Sequence, residues 1–362
     1  MRPPGLVRWL GVLPPSFPDD VEVVIVAHDN LATLPATLDS VVGTGCPPDR
    51  VTLVDVCSAD GTGEWLARHY PSARLRRLER NDGPSPARNI GIIEARHARV
   101  LLMDADVSLL PDTVHQLHDA MQADPAVKIA SPIVVHNDRP DLIQYAGGAL
   151  HYVCEAVNPW RNRPLLERGT DTLAIGAAPT CALLLDRQAA IDVGLFDERY
   201  FIGKEDGDFT HRINMAGYTI LEIPRARVLH RSRPRDSWLF YYQIRNRWHF
   251  ILKNYQVRTI VCIAPALLIY EPLQCLLLVA KGHGRTYLRA VRGLVAMLPA
   301  LRADRAIAQR IRARNDRDLL VSGPMVVRDD LAGSAMIRFG KRLYESFLDV
   351  YWALVKRLVL TR

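Results

Sequence analysis

The chain is poor in cysteine pattern: six cysteines in 362 residues, with no CxxC pair and no close-set series. Cys46, Cys57, Cys154, Cys181, Cys262 and Cys275 lie scattered, which excludes a disulfide framework and points to buried thiols in a reducing compartment. No internal repeat or low-complexity tract is present. The opening residues, MRPPGLVRWLGVLPPSFPDD, are broken by prolines and lack an apolar core long enough for a signal peptide, so the expected location is cytoplasmic. A content of 49% apolar and 23% charged residues excludes wholesale disorder. Also missing is a glycine-rich basic loop after the first apolar run. That position reads AHDNLATLP, which argues against a sugar-phosphate nucleotidyltransferase cradling a triphosphate.

What is present alternates in type. VEVVIVA (21–27) and VTLVDVC (51–57) are β-branched strands, and LATLPATLDSVV (31–42) has helical spacing with Pro35 near its first turn. The turn SADGTG (58–63), a helix from EWLARHY, a short strand ARLRRLE and a loop-to-helix NDGPSPARNIGIIEA follow, then the strand RVLLMD. The order βαβαβαβ predicts an α/β fold with a doubly wound, mainly parallel sheet. Further on, KIASPIVV, CALLLDR and YTILEIPRARVLH read as strands, and residues 136–172 as a polar, substrate-facing region.

The strand RVLLMD ends in DAD, with Asp104 and Asp106 one residue apart. Parallel sheets present ligands outside the carboxyl ends of their strands. Two carboxylates there suit Mg²⁺ or Mn²⁺ carrying phosphate oxygens. If the strand runs through both, their side chains face the same way. An isolated DxD is more often a plain acidic strand end, so its companions matter. These are VDVCSADGT, where Asp55 ends a strand and Asp60 makes a turn; NDGPSPARNIGI with Arg88; KEDGDFTHRINMAGY; and His230 closing RARVLH. Glu205, Asp206 and Asp208 crowd a helix start, where the macrodipole alone favours acids. Crowded carboxylates also raise one another's proton affinity, which suits a general base.

Taken in order and spacing, these motifs resemble the family 2 glycosyltransferases, which have the GT-A fold, over residues 21 to about 255. VDVCSADGT is similar to V-D-x-G-S-x-D-G-T, ARNIGI to A-R-N-x-G-I, and KEDGDFTHRINMAGY to the E-D-x-D…R…G-Y block. The resemblance implies an inverting transferase using a UDP-, dTDP- or GDP-linked sugar and Mg²⁺ or Mn²⁺. The metal would neutralise charge on the departing diphosphate. It also implies Asp106 as direct metal ligand, Asp104 near the ribose or the metal's water shell, and His230 closing the coordination sphere. Ala27, Asp29, Asp55, Asp60, Arg88, Asp104 and Ala105 would bind the donor. Asp206, with Glu205 beside it, would take the acceptor's proton. Gly176 and Ala177 resemble a small-residue segment beneath the acceptor, and Trp160 is a sugar-stacking platform or a core residue. Two departures, Val56 for a polar residue and Cys57 for the usual glycine, bear on base selectivity. A non-catalytic binding protein on the same fold is the remaining alternative.

Beyond residue 255 the chain changes character. TIVCIAPALLIYEPLQCLLLVA (259–280) is apolar with one charge, Glu271, and two prolines, which disfavour a plain bilayer span. Ten Lys or Arg lie between Lys281 and Arg317 against Asp304 and Asp316, and ESFLDVYWALVKRLVL (345–360) is amphipathic. Apolar faces beside cations fit helices lying in the headgroup region; a buried hairpin or dimer interface is the alternative. The arginines alternate with Leu, Val and Ala rather than base-stacking aromatics, so the expected partner is the inner membrane surface and not nucleic acid. YYQIRNRWHFILKNY (241–255), through Tyr242, Arg245 and Asn246, is similar to a block following the catalytic domain in bacterial envelope-glycan members. Three segments are expected: 1–20, a GT-A domain at 21–255, and a helical membrane-associating extension at 256–362. The acceptor would be a glycan or lipid-linked, met at the cytoplasmic face of the membrane.

Overall fold

A computed structural model describes residues 16–232, 236–326 and 335–358 of the chain. Most of the expected segment 1–20, and the last residues of the amphipathic stretch, lie outside them. The first half runs β1 (Val21–Ala27), α1 (Leu34–Gly43), β2 (Val51–Asp55), α2 (Thr62–His69), β3 (Arg74–Arg77), α3 (Pro84–Glu94) and β4 (Arg99–Asp104). Next come β5 (Val107–Leu109), α4 (Thr113–Ala123), β6 (Val127–His136), β7 (Ile143–Tyr145), β8 (Ala149–His151), β9 (Ala156–Val157) and β10 (Leu173–Ala174). β11 (Ala182–Asp186), α5 (Arg187–Asp192), α6 (Glu205–Met215) and β12 (Thr219–His230) complete the sheet-bearing part. The tail holds α7 (Leu239–Asn254), α8 (Val257–Ala280), α9 (Gly284–Arg310), α10 (Asp316–Leu319), β13 (Leu320–Val321) and α11 (Ala335–Val355).

The main sheet has the order β10-β12-β6-β11-β4-β1-β2-β3. β3, β2, β1 and β4 are parallel, as the alternation of strands and helices requires. β11 then enters antiparallel to both β4 and β6, while β12 runs parallel to β6. The result is a GT-A-like mixed α/β sheet whose parallel half carries the DxD strand. All seven residues of β1 are buried. Their alternation divides the core: Val23 and Ile25 pack with Leu34 and Leu38 of α1, Val24 and Val26 with Ala87 and Ile92 of α3. Gly91 sets the second contact, because a Cβ there would lie 2.2 Å from Val24 Cγ1. Only a residue without a side chain lets α3 sit this close, which places Arg88 over the end of β4.

β4 ends at Asp104, and Ala105 and Asp106 form a turn before β5. The strand does not run through both aspartates, so the condition under which they would face one way is not met. α8 continues through Pro265 and Pro272 as a single 24-residue helix. It is the one described helix long and apolar enough to cross a membrane, with only 17% of its most apolar window buried. Leu268, Leu273 and Leu276 of α8, Leu288 and Val295 of α9, and Phe339, Leu343 and Leu354 of α11 are all exposed. A third core joins this tail to the sheet-bearing part, with Tyr152 and Val153 packed among Phe250, Ile263, Leu267, Leu348 and Trp352.

Candidate active site

A cavity of about 610 Å³ opens where β1, β4, α3, the 201–206 loop and β12 converge. Arg88 is its electrostatic centre. The helix turn A-R-N-I-G explains the placement residue by residue: Ala87 faces the core, Gly91 meets β1, and Asn89 holds the opposing loop. Asn89 Nδ2 donates to Phe196 O and Glu198 Oε1, both at 2.9 Å, while Phe196 N donates back to Asn89 Oδ1 at 2.8 Å. Gly83, the residue before α3, has φ +89°, and a Cβ on it would lie 2.2 Å from Phe201 O. Glycine is required there twice over.

The Arg88 guanidinium is 4% exposed. It donates to Asp104 Oδ1 at 3.0 Å and Asp206 Oδ1 at 3.1 Å, and lies 4.0 Å from Glu205 Oε1. Burial opposes its charge, but Asp104, Asp206 and Glu205 outweigh that and hold it protonated well above the ordinary range. Burial pushes the Asp104 carboxyl up, Arg88 opposes the shift, and Asp106 and Asp206 add to it. Asp206 Oδ1 also accepts from Thr180 Oγ1. Behind it, Asp208 is buried against Arg212, Lys253 and Asn254, which joins α6 to α7.

Asp106 turns the other way, toward His230. Its Oδ1 is buried, accepts no hydrogen bond and lies 3.5 Å from His230 Nε2. His230 Nδ1 lies 2.8 Å from Gln144 Oε1, an acceptor, so Nδ1 is the donor and Nε2 is the ring nitrogen a metal would take. Among the described residues no group of three or more His, Cys, Asp or Glu is arranged to hold a metal. A carboxylate and an imidazole with open acceptor atoms nonetheless suit a divalent ion whose other ligands are phosphate and water. Cys181 also lines the cavity; burial first, then Asp104 and Asp206, keep it a neutral thiol.

The predicted site residues divide. Ala27, Arg88, Asp104, Ala105, Asp106, Glu205, Asp206 and His230 line this cavity together. Asp29, Asp55 and Asp60, expected above to contact the donor, stand outside this lining. Asp55 is fully buried, accepting from Ser58 N at 3.0 Å and Arg77 Nε at 3.1 Å. Asp29 accepts from Ala59 N and Asp60 from Leu31 N, both at 2.8 Å, so these acids stitch the loops after β1 and β2 together. Val56 and His28 face the cavity instead. Cys57 has φ 54°, which explains why a glycine suits that position.

Gly176 and Ala177 are not among the residues that line the cavity. Tyr145 lines the cavity and donates from its hydroxyl to Ala177 O at 3.2 Å. Of the two readings of Trp160, packing is the one its contacts fit: it lies against Ile133, Val135 and Ile143, and Arg163 stacks on it at 4.5 Å. The tryptophan at the cavity is Trp238, half-exposed, edge-on to Tyr242, which stacks on Phe201. No motif marked it, since its position depends on α7 folding back. Tyr242, Arg245 and Asn246 act in packing: Arg245 donates to Arg199 O at 2.7 Å and Asn246 to Ile202 O at 3.1 Å.

A doubly wound sheet that brings a strand-end DxD, an arginine clamp and a helix-start carboxylate pair around one cleft defines a GT-A-like transferase fold. Residues 22–192 match the family model of glycosyl transferase family 2. The N-acetylglucosaminyl-diphospho-decaprenol L-rhamnosyltransferase of Mycobacterium tuberculosis is 30% identical, over 51% of this chain and 66% of that protein. The succinoglycan biosynthesis protein ExoO of Rhizobium meliloti is 33% identical, over 38% of each. The chain thus spans 66% and 38% of the length of these curated relatives. A crystal structure of GalNAc-T7 with UDP, GalNAc and Mn²⁺ shares the fold, with a TM-score of 0.52, 20% identity, and coverage of 66% of this chain and 48% of that one.

Proposed function

We propose that this protein is an inverting glycosyltransferase, moving a hexosyl or deoxyhexosyl group from a nucleotide-diphosphate donor to a lipid-linked or polysaccharide acceptor in envelope glycan synthesis. The observation that carries the reading is the Arg88 clamp, which fixes Asp104 and Asp206 across one cavity beside the Asp106–His230 pair. The curated relatives, an L-rhamnosyltransferase and a succinoglycan biosynthesis protein, support the substrate class.

Asp106 and His230 would hold a divalent cation, Mg²⁺ or Mn²⁺, which when bound stabilises charge on the departing diphosphate. Arg88 and Thr180 hold Asp206 through Oδ1, so Oδ2 is the atom that takes the proton from the acceptor hydroxyl. As that proton moves, the hydroxyl oxygen bonds to the anomeric carbon and the bond from that carbon to the diphosphate oxygen breaks. One displacement inverts the configuration. Ala27, Val56 and Ala105 leave room for the nucleoside, while Tyr145 and Trp238 flank the acceptor side.

The exposed apolar residues of α8, α9 and α11, beside the arginines of α9, support a helical extension lying on an anionic membrane surface at the cytoplasmic face. On this reading the cleft would lie where a lipid-linked acceptor is found. We assign 21–255 to the catalytic domain and 256–362 to this extension.

Thermal melting with UDP, GDP, dTDP and CDP, each with and without Mn²⁺, tests the site on wild type and Asp106→Ala. One diphosphate should raise wild-type Tm only with metal, by the mass-action stabilisation of about 2.7 kcal/mol at 100-fold excess over Kd, and leave the variant unmoved. Equal stabilisation of both proteins would remove Asp106 from the metal site. No stabilisation by any diphosphate would overturn the transferase reading.

A further inference from the structure

The residue preceding the two carboxylates is tied to the apolar helix by a run of alternating charges. Gly203 and Lys204 take φ of 79° and 74° in succession. For a lysine that left-handed conformation is strained and persists only where its surroundings over-determine it. Here they do. Lys204 Nζ donates to Cys154 O and to Glu155 Oε2, each at 2.7 Å, and Asn246 Nδ2 donates to Gly203 O at 2.6 Å. Glu155 Oε1 accepts from the Tyr270 hydroxyl of α8 at 3.0 Å and lies 3.6 Å from Arg247 Nε of α7. Arg247, fully buried, pairs with Glu271, the only acidic residue of α8. Glu271 in turn accepts from the Tyr287 hydroxyl of α9 at 3.1 Å.

The chain Lys204–Glu155–Arg247–Glu271 therefore runs from the residue that precedes α6 to the middle of the apolar helix α8. Buried ions of this kind act as a unit, because removing one leaves its neighbour charged and unsolvated. Burial opposes ionisation of Glu155, yet Lys204 and Arg247 hold its carboxyl below the usual range. A central acid in an otherwise apolar helix also has a physical reason here: it faces inward to Arg247.

We propose that Lys204, Glu155, Arg247 and Glu271 are positioning residues, which aim Glu205 and Asp206 at Arg88 only while α8 keeps its seat. The inference rests on the reading above that these carboxylates serve transfer and that α8 lies on lipid. It makes the acidic pair responsive to the membrane-facing layer, so that the site is completed where the acceptor resides.

Hydrogen exchange read by mass spectrometry on the full chain tests it, comparing wild type with Lys204→Met, Glu155→Gln and Glu271→Gln, and transfer is assayed in parallel. Peptides covering residues 203–212 should exchange about ten-fold faster in all three, while peptides from α4 stay unchanged. In the transfer assay kcat should fall about ten-fold with donor KM within about two-fold, the split expected when positioning and not binding is lost. Glu271→Asp should recover part of both losses. Wild-type exchange in a folded Lys204→Met would overturn the positioning role. The isosteric Glu155→Gln decides the same point if Lys204→Met does not fold. Faster exchange in Lys204→Met with wild-type exchange in Glu271→Gln would overturn the link to α8. A wild type that transfers no sugar, with the exchange pattern as expected, would retire the transferase reading and leave the positioning chain standing.

Discussion

Replacing Arg88 with methionine keeps most of the side-chain volume and removes the cation that Asp104, Asp206 and Glu205 share. The guanidinium makes two charge-assisted bonds, at 3.0 and 3.1 Å. Each such bond contributes about 1.5–3 kcal/mol, and removing one partner of a buried ion pair costs about 3–5 kcal/mol. Asp206 and Asp104 are 37% and 30% exposed and both regain part of their hydration, so the loss falls within the second range and not at the sum of both bonds. For a chain of 362 residues, with an unfolding entropy of about 0.76 kcal/mol/K, that corresponds to a fall in Tm of roughly 4–7 °C near neutral pH. The pH dependence follows from Asp104, whose carboxyl burial already pushes up and Arg88 restrains. Without Arg88 its folded pKa rises further. The unfolded chain then releases the proton first, so stability is fullest below the unfolded value of about 4 and falls as pH rises through the folded one. The deficit of Arg88→Met relative to wild type should therefore be larger at about pH 8 than at about pH 5. Differential scanning calorimetry at both pH values measures it. A variant melting with wild type at neutral pH, or a deficit that grows toward acid, would refute the counter-ion reasoning.

Three further outcomes are expected. Asp206→Asn keeps an acceptor for Arg88 and Thr180 but cannot take a proton, so transfer should slow by about 10²–10⁴ while diphosphate-dependent melting shifts persist; an unaffected rate would place the base elsewhere. Gly83→Ala puts a Cβ 2.2 Å from Phe201 O at φ +89°, and should destabilise by about 1–3 kcal/mol and weaken diphosphate binding by titration; wild-type melting would show that the loop gives way freely. Leu268→Glu combined with Leu276→Glu, at side chains 74% and 65% exposed, should leave Tm within about 2 °C yet reduce flotation with anionic vesicles several-fold. Undiminished flotation would assign the apolar face to something other than lipid.

Much of the catalytic half was legible because its signals are local. A β-branched run long enough to be buried on both faces makes β1, and alternation of strand and helix makes the parallel half of the sheet. The spacing of A-R-N-I-G puts Arg88 and Gly91 on related faces of one helix turn, and the acids of α6 were readable as a helix start. What stayed hidden depended on partners distant in sequence. Asp55 ends a strand, and only folding brings Arg77 of the neighbouring strand against it. Trp160 stood open between stacking and packing until β6 and β7 packed on it, and nothing in the string marked Trp238, which reaches the cleft only with α7.

The sequence by itself determined which chemistry is present: a strand-end DxD, an arginine on the preceding helix, a helix-start carboxylate pair and an apolar, basic tail. Each depends on residue type and on periods of two or about four residues, which a linear string preserves. Tertiary structure alone decided how those groups divide the work. The turn after Asp104 sends one carboxylate to Arg88 and the other to His230, and Glu271 became the end of an ion chain and not a flaw in an apolar helix. Such assignments depend on which oppositely charged group is nearest after folding, and that distance is unrelated to separation along the chain.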